Sequence, residues 1–312
     1  MFPDINTVKT ITSIGAGPIG GGWTAHFLAQ GYNVNAYLHS ENEIKAFKSI
    51  LQTAWVSLSA LGLAEGASID NLNITTNLQE SLKGTDFVQE SAPERLEIKQ
   101  TLYQKLGELV ESNVVISSST SGLTMTEIQK QCSTPERTVI GHPFNPPYLL
   151  PLVEIVGGKK TNPEAVKWAS AFYKYAGKSP LVMKKEIPGF VATRLQEALW
   201  REALHMVSNG EATPADIDNA LINGPAARMA VQGQCMAFHV ACGEGGMATN
   251  LDQFGPALKL PWTRLKAPEL TKDLRDKMVE GCAEMAGDQH FEKMAEARDK
   301  KIVAVLNAIK SS

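Results

Sequence analysis

The chain has 312 residues, 20% of them charged, and a net charge of −3. That length suffices for two domains with substantial cores, and the near-balance of charge offers no basic field to a nucleic acid. No apolar run approaches the ~18 residues that a membrane span needs, and the opening Met1-Phe2-Pro3-Asp4-Ile5-Asn6 lacks the basic-then-apolar layout of a secretory leader. Cys132, Cys235, Cys242 and Cys282 are scattered without a CxxC pair. They read as reduced thiols of a cytoplasmic protein, with no disulfide frame and no metal site.

Residues 8–14 are apolar and β-branched and predict a buried strand. The strand runs into Gly15-Ala16-Gly17-Pro18-Ile19-Gly20, and residues 21–30 then read as a helix. In that context each glycine has its own task. Gly15 allows the tight turn, Gly17 lets the backbone approach a pyrophosphate, and Gly20 lets helix and strand pack closely. The phosphates would meet the free N–H groups and positive dipole end of the helix.

A second strand is expected over residues 32–38. A dinucleotide fold that uses NAD usually ends this strand with an acid for the adenosine ribose. Here that position is Leu38, followed by His39-Ser40-Glu41, so the acid is missing or Glu41 replaces it. The lack of an Arg beside it favours NAD, and the missing acid leaves NADP open.

A long amphipathic helix over 41–63, a weak strand at 72–75 and a short helix at 79–83 come next. Residues 86–90 read as a strand whose exit, Ser91-Ala92-Pro93-Glu94, starts a helix running through Lys99 to Val110. Residues 114–116 form another strand, leading into Ser117-Ser118-Ser119-Thr120-Ser121-Gly122. Massed hydroxyls at the carboxyl end of an α/β strand lie where ligands bind in open sheets, although such a loop also serves to cap a helix at Thr124.

Val139-Ile140 feeds Gly141-His142-Pro143-Phe144-Asn145-Pro146-Pro147-Tyr148, a proline-rich turn. Glu154 follows inside Leu152-Val153-Glu154-Ile155-Val156, which otherwise reads as a buried strand. A carboxylate in such a run is costly unless something pairs with it, and the nearest candidate is the imidazole of His142. A His held by a Glu is an acid–base device that titrates near neutral pH. Asn162-Pro163-Glu164 caps a further helix, and residues 181–183 form a last strand.

Strands alternating with helices predict an α/β fold with a doubly wound, mainly parallel sheet of the Rossmann type. After Ile187-Pro188-Gly189 no strand pattern appears. Residues 190–208, 272–286 and 291–309 read as helices, Thr213-Pro214-Ala215-Asp216 is a capping box, and residues 243–246 and 255–262 read as loops. The expected organisation is a dinucleotide-binding domain over 1–186 and an all-helical C-terminal domain for substrate and dimerisation over 187–312. His26, His205, His239 and His290 fall in helical stretches and read as structural.

Taken together, residues 15–20, Glu94 with Lys99, Ser119-Thr120-Ser121, Gly141-His142-Pro143-Phe144-Asn145-Pro146, Leu152-Val153-Glu154 and Pro188-Gly189-Phe190 resemble the 3-hydroxyacyl-CoA dehydrogenase family over nearly the full chain. The resemblance implies oxidation of the 3-hydroxyl of a small hydroxy acid, with L-carnitine as first expectation. L-gulonate, a hydroxyacyl thioester and reduction of an imine are alternatives, and a non-catalytic crystallin-like role is the alternative of another class. It further implies that His142 takes the hydroxyl proton, Glu154 orients the imidazole and Ser121 binds the substrate oxygen. Gly15, Ala16, Gly17, Pro18, Ile19 and Gly20 would cradle the cofactor phosphates, and Glu94, Lys99 and Asn145 the nicotinamide side. A homodimer is implied as well.

Two departures stand out. The family's further Asn after Pro-Gly-Phe is Thr193 here, and an expected Leu-Arg-Trp is Ala227-Arg228-Met229. Aromatic faces hold a quaternary ammonium best. Trp200, Phe144, Tyr148, Phe190 and Phe238 are the remaining candidates for that purpose, and Arg228 is a candidate for a substrate carboxylate.

Overall fold

The computed structural model describes residues 2–230, 233–242, 244, 246–260, 263–264, 269, 271–274, 276–277, 288 and 291–310. Two units emerge, Met1–Thr193 and Arg194–Ser312.

In the first unit, eight strands form one sheet in the order β3-β2-β1-β4-β5-β6-β7-β8. They are β1 Thr10–Ile14, β2 Asn33–Tyr37, β3 Leu72–Thr75, β4 Phe87–Glu90, β5 Val115–Ser118, β6 Thr138–Pro143, β7 Leu152–Gly157 and β8 Ser179–Val182. Every neighbouring pair is parallel except β6 with β7. The carboxyl ends of β1, β4, β5 and β6 therefore lie on one edge of the sheet.

The helices of this unit are α1 Pro18–Ala29, α2 Ile44–Leu61, α3 Leu78–Ser81, α4 Leu96–Leu109, α5 Met125–Ile128 and α6 Pro163–Tyr175. Alternation along each strand supplies two cores, one on each face. Phe87 joins Trp23, Phe27, Trp168 and Phe172 on the face covered by α1 and α6. Val88, its neighbour, joins Tyr103, Leu106 and Ile128 on the face covered by α4 and α5. Each such large apolar side chain contributes about 1.5–3 kcal/mol by burial. Residues 20–29 of α1 are all buried, so this helix has no solvent face.

Three expectations need correction. His142 lies on β6, not in a turn, because β7 folds back antiparallel and pairs with β6 as far as Pro143. A proline is tolerated at that strand end, where its missing N–H removes little from the ladder. Helix α4 begins only at Leu96, since Arg95 is still extended and the Glu94 carboxylate serves another loop. Leu38 is fully buried and so does not face a ribose, and Glu41 sits exposed in a 3-10 turn.

Among its described residues the second unit has helices and no strand: α7 Ala192–Ser208, which starts in the last two residues of the first unit, α8 Pro214–Asn223, α9 Pro225–Met229, α10 Gln234–Ala241, α11 Gly246–Phe254 and α12 Phe291–Lys310. Ala203, Val207, Ile217 and Leu274 form its core, and Arg264 bridges Glu202 and Glu211. The stretches expected as loops differ: Gly246 opens α11, and Gly255–Lys259 is a 3-10 helix. Much of the helix expected over 272–286 lies outside the described residues, as do Val231, Gln232, Trp262, Cys282 and His290.

Candidate active site

The glycine turn leaves β1 at Gly15, whose φ of +116° is costly for other residues. A Cβ there would stand 2.4 Å from the Ser91 carbonyl oxygen, and one on Gly20 would stand 2.1 Å from that of Gly15. A Cβ on Gly17 would meet no protein atom within 4 Å. Gly15 and Gly20 are thus fixed by the fold, whereas Gly17 faces open space at the N-terminus of α1. That is the arrangement a pyrophosphate needs. A cavity of about 800 Å³ opens beside the turn, and its lining includes Gly15, Gly17, Tyr37, His39, Glu43 and Leu102. Glu43 is held there by a capping box, its Oε2 accepting from Ser40 N at 3.2 Å. The residues present fit a dinucleotide.

Beside this turn, β4 and β5 end in a buried polar network. Glu90 is fully buried. Its Oε1 accepts from Lys99 Nζ at 2.7 Å and Ala92 N at 2.6 Å, and its Oε2 accepts from Ser118 Oγ at 2.6 Å. Lys99 Nζ also donates to the Ala92 carbonyl at 3.2 Å and lies 3.6 Å from Glu94 Oε2. Glu94 Oε1 in turn accepts from Thr120 Oγ1 (2.6 Å), Ser121 N (2.9 Å) and Gly122 N (3.1 Å). The chain Glu90–Lys99–Glu94 therefore fixes the hydroxyl loop. Ser121 is exposed at its tip, and among the described residues nothing hydrogen-bonds its hydroxyl. Thr124, as the loop's other reading has it, caps α5 through Glu127 N.

The third part is the pair on β6 and β7. His142 and Glu154 are register partners, and Nδ1 lies 3.0 Å from Glu154 Oε2. Glu154 Oε1 accepts from Val191 N at 2.8 Å and Ala192 N at 2.9 Å. These two N–H groups are presented at the start of α7 by a tight turn in which Gly189 has φ +70° and Phe190 φ +49°. A bulky residue in that region stores about 1–3 kcal/mol, and here the turn aims two donors at one carboxylate. Burial pushes the Glu154 carboxyl up, but the hydrogen bonds from His142, Ala192 and Val191 outweigh it and hold it below its ordinary value. An ionised carboxylate only accepts, so Nδ1 carries the proton and Nε2 is the acceptor. Among the described residues nothing bonds Nε2. Phe144 and Phe190 flank the ring at 5.2 and 5.3 Å between centroids. Asn145 is exposed on the segment that follows, joined to Pro146 by a cis peptide bond. Thr193 is half-buried in the first turn of α7.

Of the sequence-predicted residues, 15–20, Ser121 and His142 with Glu154 all fall at the carboxyl edge of the sheet, with Glu94, Lys99 and Asn145 beside them. His26 is structural: Nε2 lies 2.7 Å from the Ala176 carbonyl oxygen, and burial drives its pKa well down. His239 accepts from Met247 N at 3.0 Å and caps α11. Sequence reasoning gave no role to Glu90 or Lys178, and it named Ser119 only as part of the hydroxyl loop. Glu90 carried the same signal as Glu154, a carboxylate inside a buried strand.

A dinucleotide cradle and an acid–base pair on one edge of a parallel sheet define a nicotinamide-dependent oxidoreductase. Residues 10–187 match the family described as 3-hydroxyacyl-CoA dehydrogenase, NAD binding domain, and residues 189–294 match its C-terminal domain. The chain belongs to the 3-hydroxyacyl-CoA dehydrogenase family. It is 52% identical over 301 residues to the L-carnitine dehydrogenase of Streptomyces coelicolor, spanning 96% of this chain and 95% of that one. It is 46% identical over 311 residues to that of Pseudomonas putida, spanning 100% and 97%. Among solved structures, 5-formyl-3-hydroxy-2-methylpyridine 4-carboxylic acid 5-dehydrogenase, an NAD+ dependent dismutase, superposes with a TM-score of 0.81 at 28% identity, covering 97% of this chain and 99% of its own. For (S)-3-hydroxybutyryl-CoA dehydrogenase from Ralstonia eutropha the TM-score is 0.63 at 27% identity, with 70% and 78% covered.

Proposed function

We propose that the chain oxidises the 3-hydroxyl of L-carnitine, giving 3-dehydrocarnitine. The observation that carries this is the His142–Glu154 pair, with Nε2 unengaged at the edge where the glycine turn lies, in a chain 42–52% identical to proteins named L-carnitine dehydrogenase. His142 Nε2 accepts the hydroxyl proton as general base. Glu154 fixes the tautomer and stabilises the imidazolium that forms, the logic of a hydrolase triad applied to an alcohol. The Ser121 hydroxyl donates to the substrate oxygen and sets it against His142. Residues 15–20 would hold the phosphates of a nicotinamide dinucleotide, and Asn145, Glu94 and Lys99 its nicotinamide side, Lys99 from beneath Glu94; the bound cofactor would supply the acceptor for the hydride of the carbinol carbon.

NAD is the cofactor in this reading. Glu43 lines the cavity beside the glycine turn, and its carboxylate opposes a 2′-phosphate. Leu195 and Leu199, one turn apart and exposed on α7, support a homodimer, which sedimentation tests. Among the described residues no helix is long and apolar enough to cross a membrane, and the free thiols Cys132, Cys235 and Cys242 support a cytoplasmic setting.

Initial rates on L-carnitine with NAD and with NADP, side by side, test the proposal. Reduced cofactor should accumulate with NAD. Silence with both cofactors, or faster turnover of another hydroxy acid, overturns the substrate assignment.

A further inference from the structure

Lys178 is a buried amine for which the reaction has no use. It lies between α6 and β8, nearly inaccessible, and among the described residues it makes no ion pair. Burial holds its pKa down to about 7. Its amine donates to the carbonyl oxygens of Pro147 and, at 3.3 Å, Leu150. It also lies 5.1 Å from the centre of the Trp23 ring on α1. His26 lies one turn along α1, and the charge of Lys178 helps to hold its pKa down. A buried amine without an anion is costly. Here both of its carbonyl partners belong to the segment that follows Asn145.

That segment is also held from the other side. A Cβ on Gly22 would stand 2.8 Å from Pro147 Cδ, so α1 and Pro147 are in direct contact. The far end of the Trp23 indole donates through Nε1 to Ser119 Oγ at 3.2 Å. Ser119 Oγ further accepts from Gln89 Nε2 at 2.8 Å and contacts Ser91 Oγ at 2.8 Å. One indole thus connects the lysine that holds the Asn145 segment to the root of the loop that carries Ser121.

We propose that Lys178 is a positioning residue for the nicotinamide half of the site. Through the Pro147 and Leu150 carbonyls and the face of Trp23, it sets the segment bearing Asn145 against the loop bearing Ser121. The inference rests on the reading that these two segments receive the nicotinamide end of the cofactor. It predicts a split between ligands, because ADP-ribose uses the glycine turn and the large cavity but has no nicotinamide.

The test is titration of NADH and of ADP-ribose into wild-type protein, Lys178→Met and Gly22→Ala, with kcat on L-carnitine measured alongside. Lys178→Met should bind ADP-ribose within about twofold of wild type and NADH at least about fivefold more weakly, with kcat lowered. Gly22→Ala pushes Pro147 from the opposite side and should give the same signature. If Lys178→Met does not fold, Gly22→Ala decides on the same two ligands. Unchanged NADH affinity and kcat, or equal weakening of both ligands, overturns the proposal. Wild-type protein that binds NADH and ADP-ribose but leaves L-carnitine untouched overturns the substrate reading instead, and NADH binding still judges Lys178.

Discussion

His142 and Glu154 face each other across an antiparallel strand pair, with Nδ1 3.0 Å from Oε2. The contact follows from the fold-back of β7: opposed positions of a ladder bring side chains together, so two residues twelve apart meet without a dedicated loop. The second carboxylate oxygen is tied to two N–H groups at the start of α7. The carboxylate is therefore held at both ends, and the imidazole has one tautomer and one orientation.

Replacing Glu154 by Gln removes the charge while keeping the shape. The amide no longer stabilises an imidazolium, and kcat should fall about 10²–10⁴-fold with little change in cofactor KM. A decrease smaller than tenfold would show that Glu154 is merely structural.

The same carboxylate has a stability consequence. Its folded-state pKa lies below its ordinary value of 4.5, so its contribution is present above that pH and is lost as pH falls through the folded value. The stability gap between wild type and Glu154→Gln, read from urea melts, should shrink on acidification below pH 4.5. A gap that widens would contradict the assignment.

Lys178 has the opposite chemistry. Its pKa is lowered from 10.5 to about 7, so between those values the unfolded chain binds the proton and the folded chain does not. Wild-type stability should therefore rise across that window relative to Lys178→Met. Parallel stability curves would refute it.

Glu90 and Lys99 are a fully buried ion pair. Removing one partner strands the other, so Glu90→Gln or Lys99→Met alone should cost about 3–5 kcal/mol, and the double variant less than the sum. Additive losses in urea melts would show that the two do not act as a unit.

The glycine turn separates fold from ligand. Gly20→Ala drives a Cβ into the Gly15 carbonyl and should lower Tm, whereas Gly17→Ala meets no protein atom. Gly17→Ala should keep wild-type Tm and lose cofactor affinity about tenfold or more. A large Tm loss at Gly17 would mean that the turn, not the ligand, needs that glycine.

The sequence made the strand–turn–helix legible because Gly15, Gly17 and Gly20 combine spacing with context, and it made Glu154 legible because an acid in an apolar strand demands a partner. His142 read as a turn residue because prolines surround it, and only the pairing with β7 shows that the strand extends to Pro143. Leu38 holds the ribose position by its place in the pattern, yet it is buried in the core; Glu43 takes the cavity wall from a capping box whose Ser-x-x-Glu spacing is legible, although the spacing does not say that the box faces the cavity. Glu90 carries the signal of an acid in a buried strand, but the sequence does not name Lys99, nine residues on, as its partner; Lys178 carries no local signal, because its carbonyl partners lie about thirty residues away. The short helices α9, α10 and α11 escaped because each is too brief to show a period.

The most direct test of the central claim is the rate of L-carnitine oxidation with NAD by His142→Gln, with NADH affinity measured on the same sample. A general base at His142 predicts a kcat reduced about 10²–10⁴-fold with NADH affinity retained. A variant that turns over within tenfold of wild type would contradict the account.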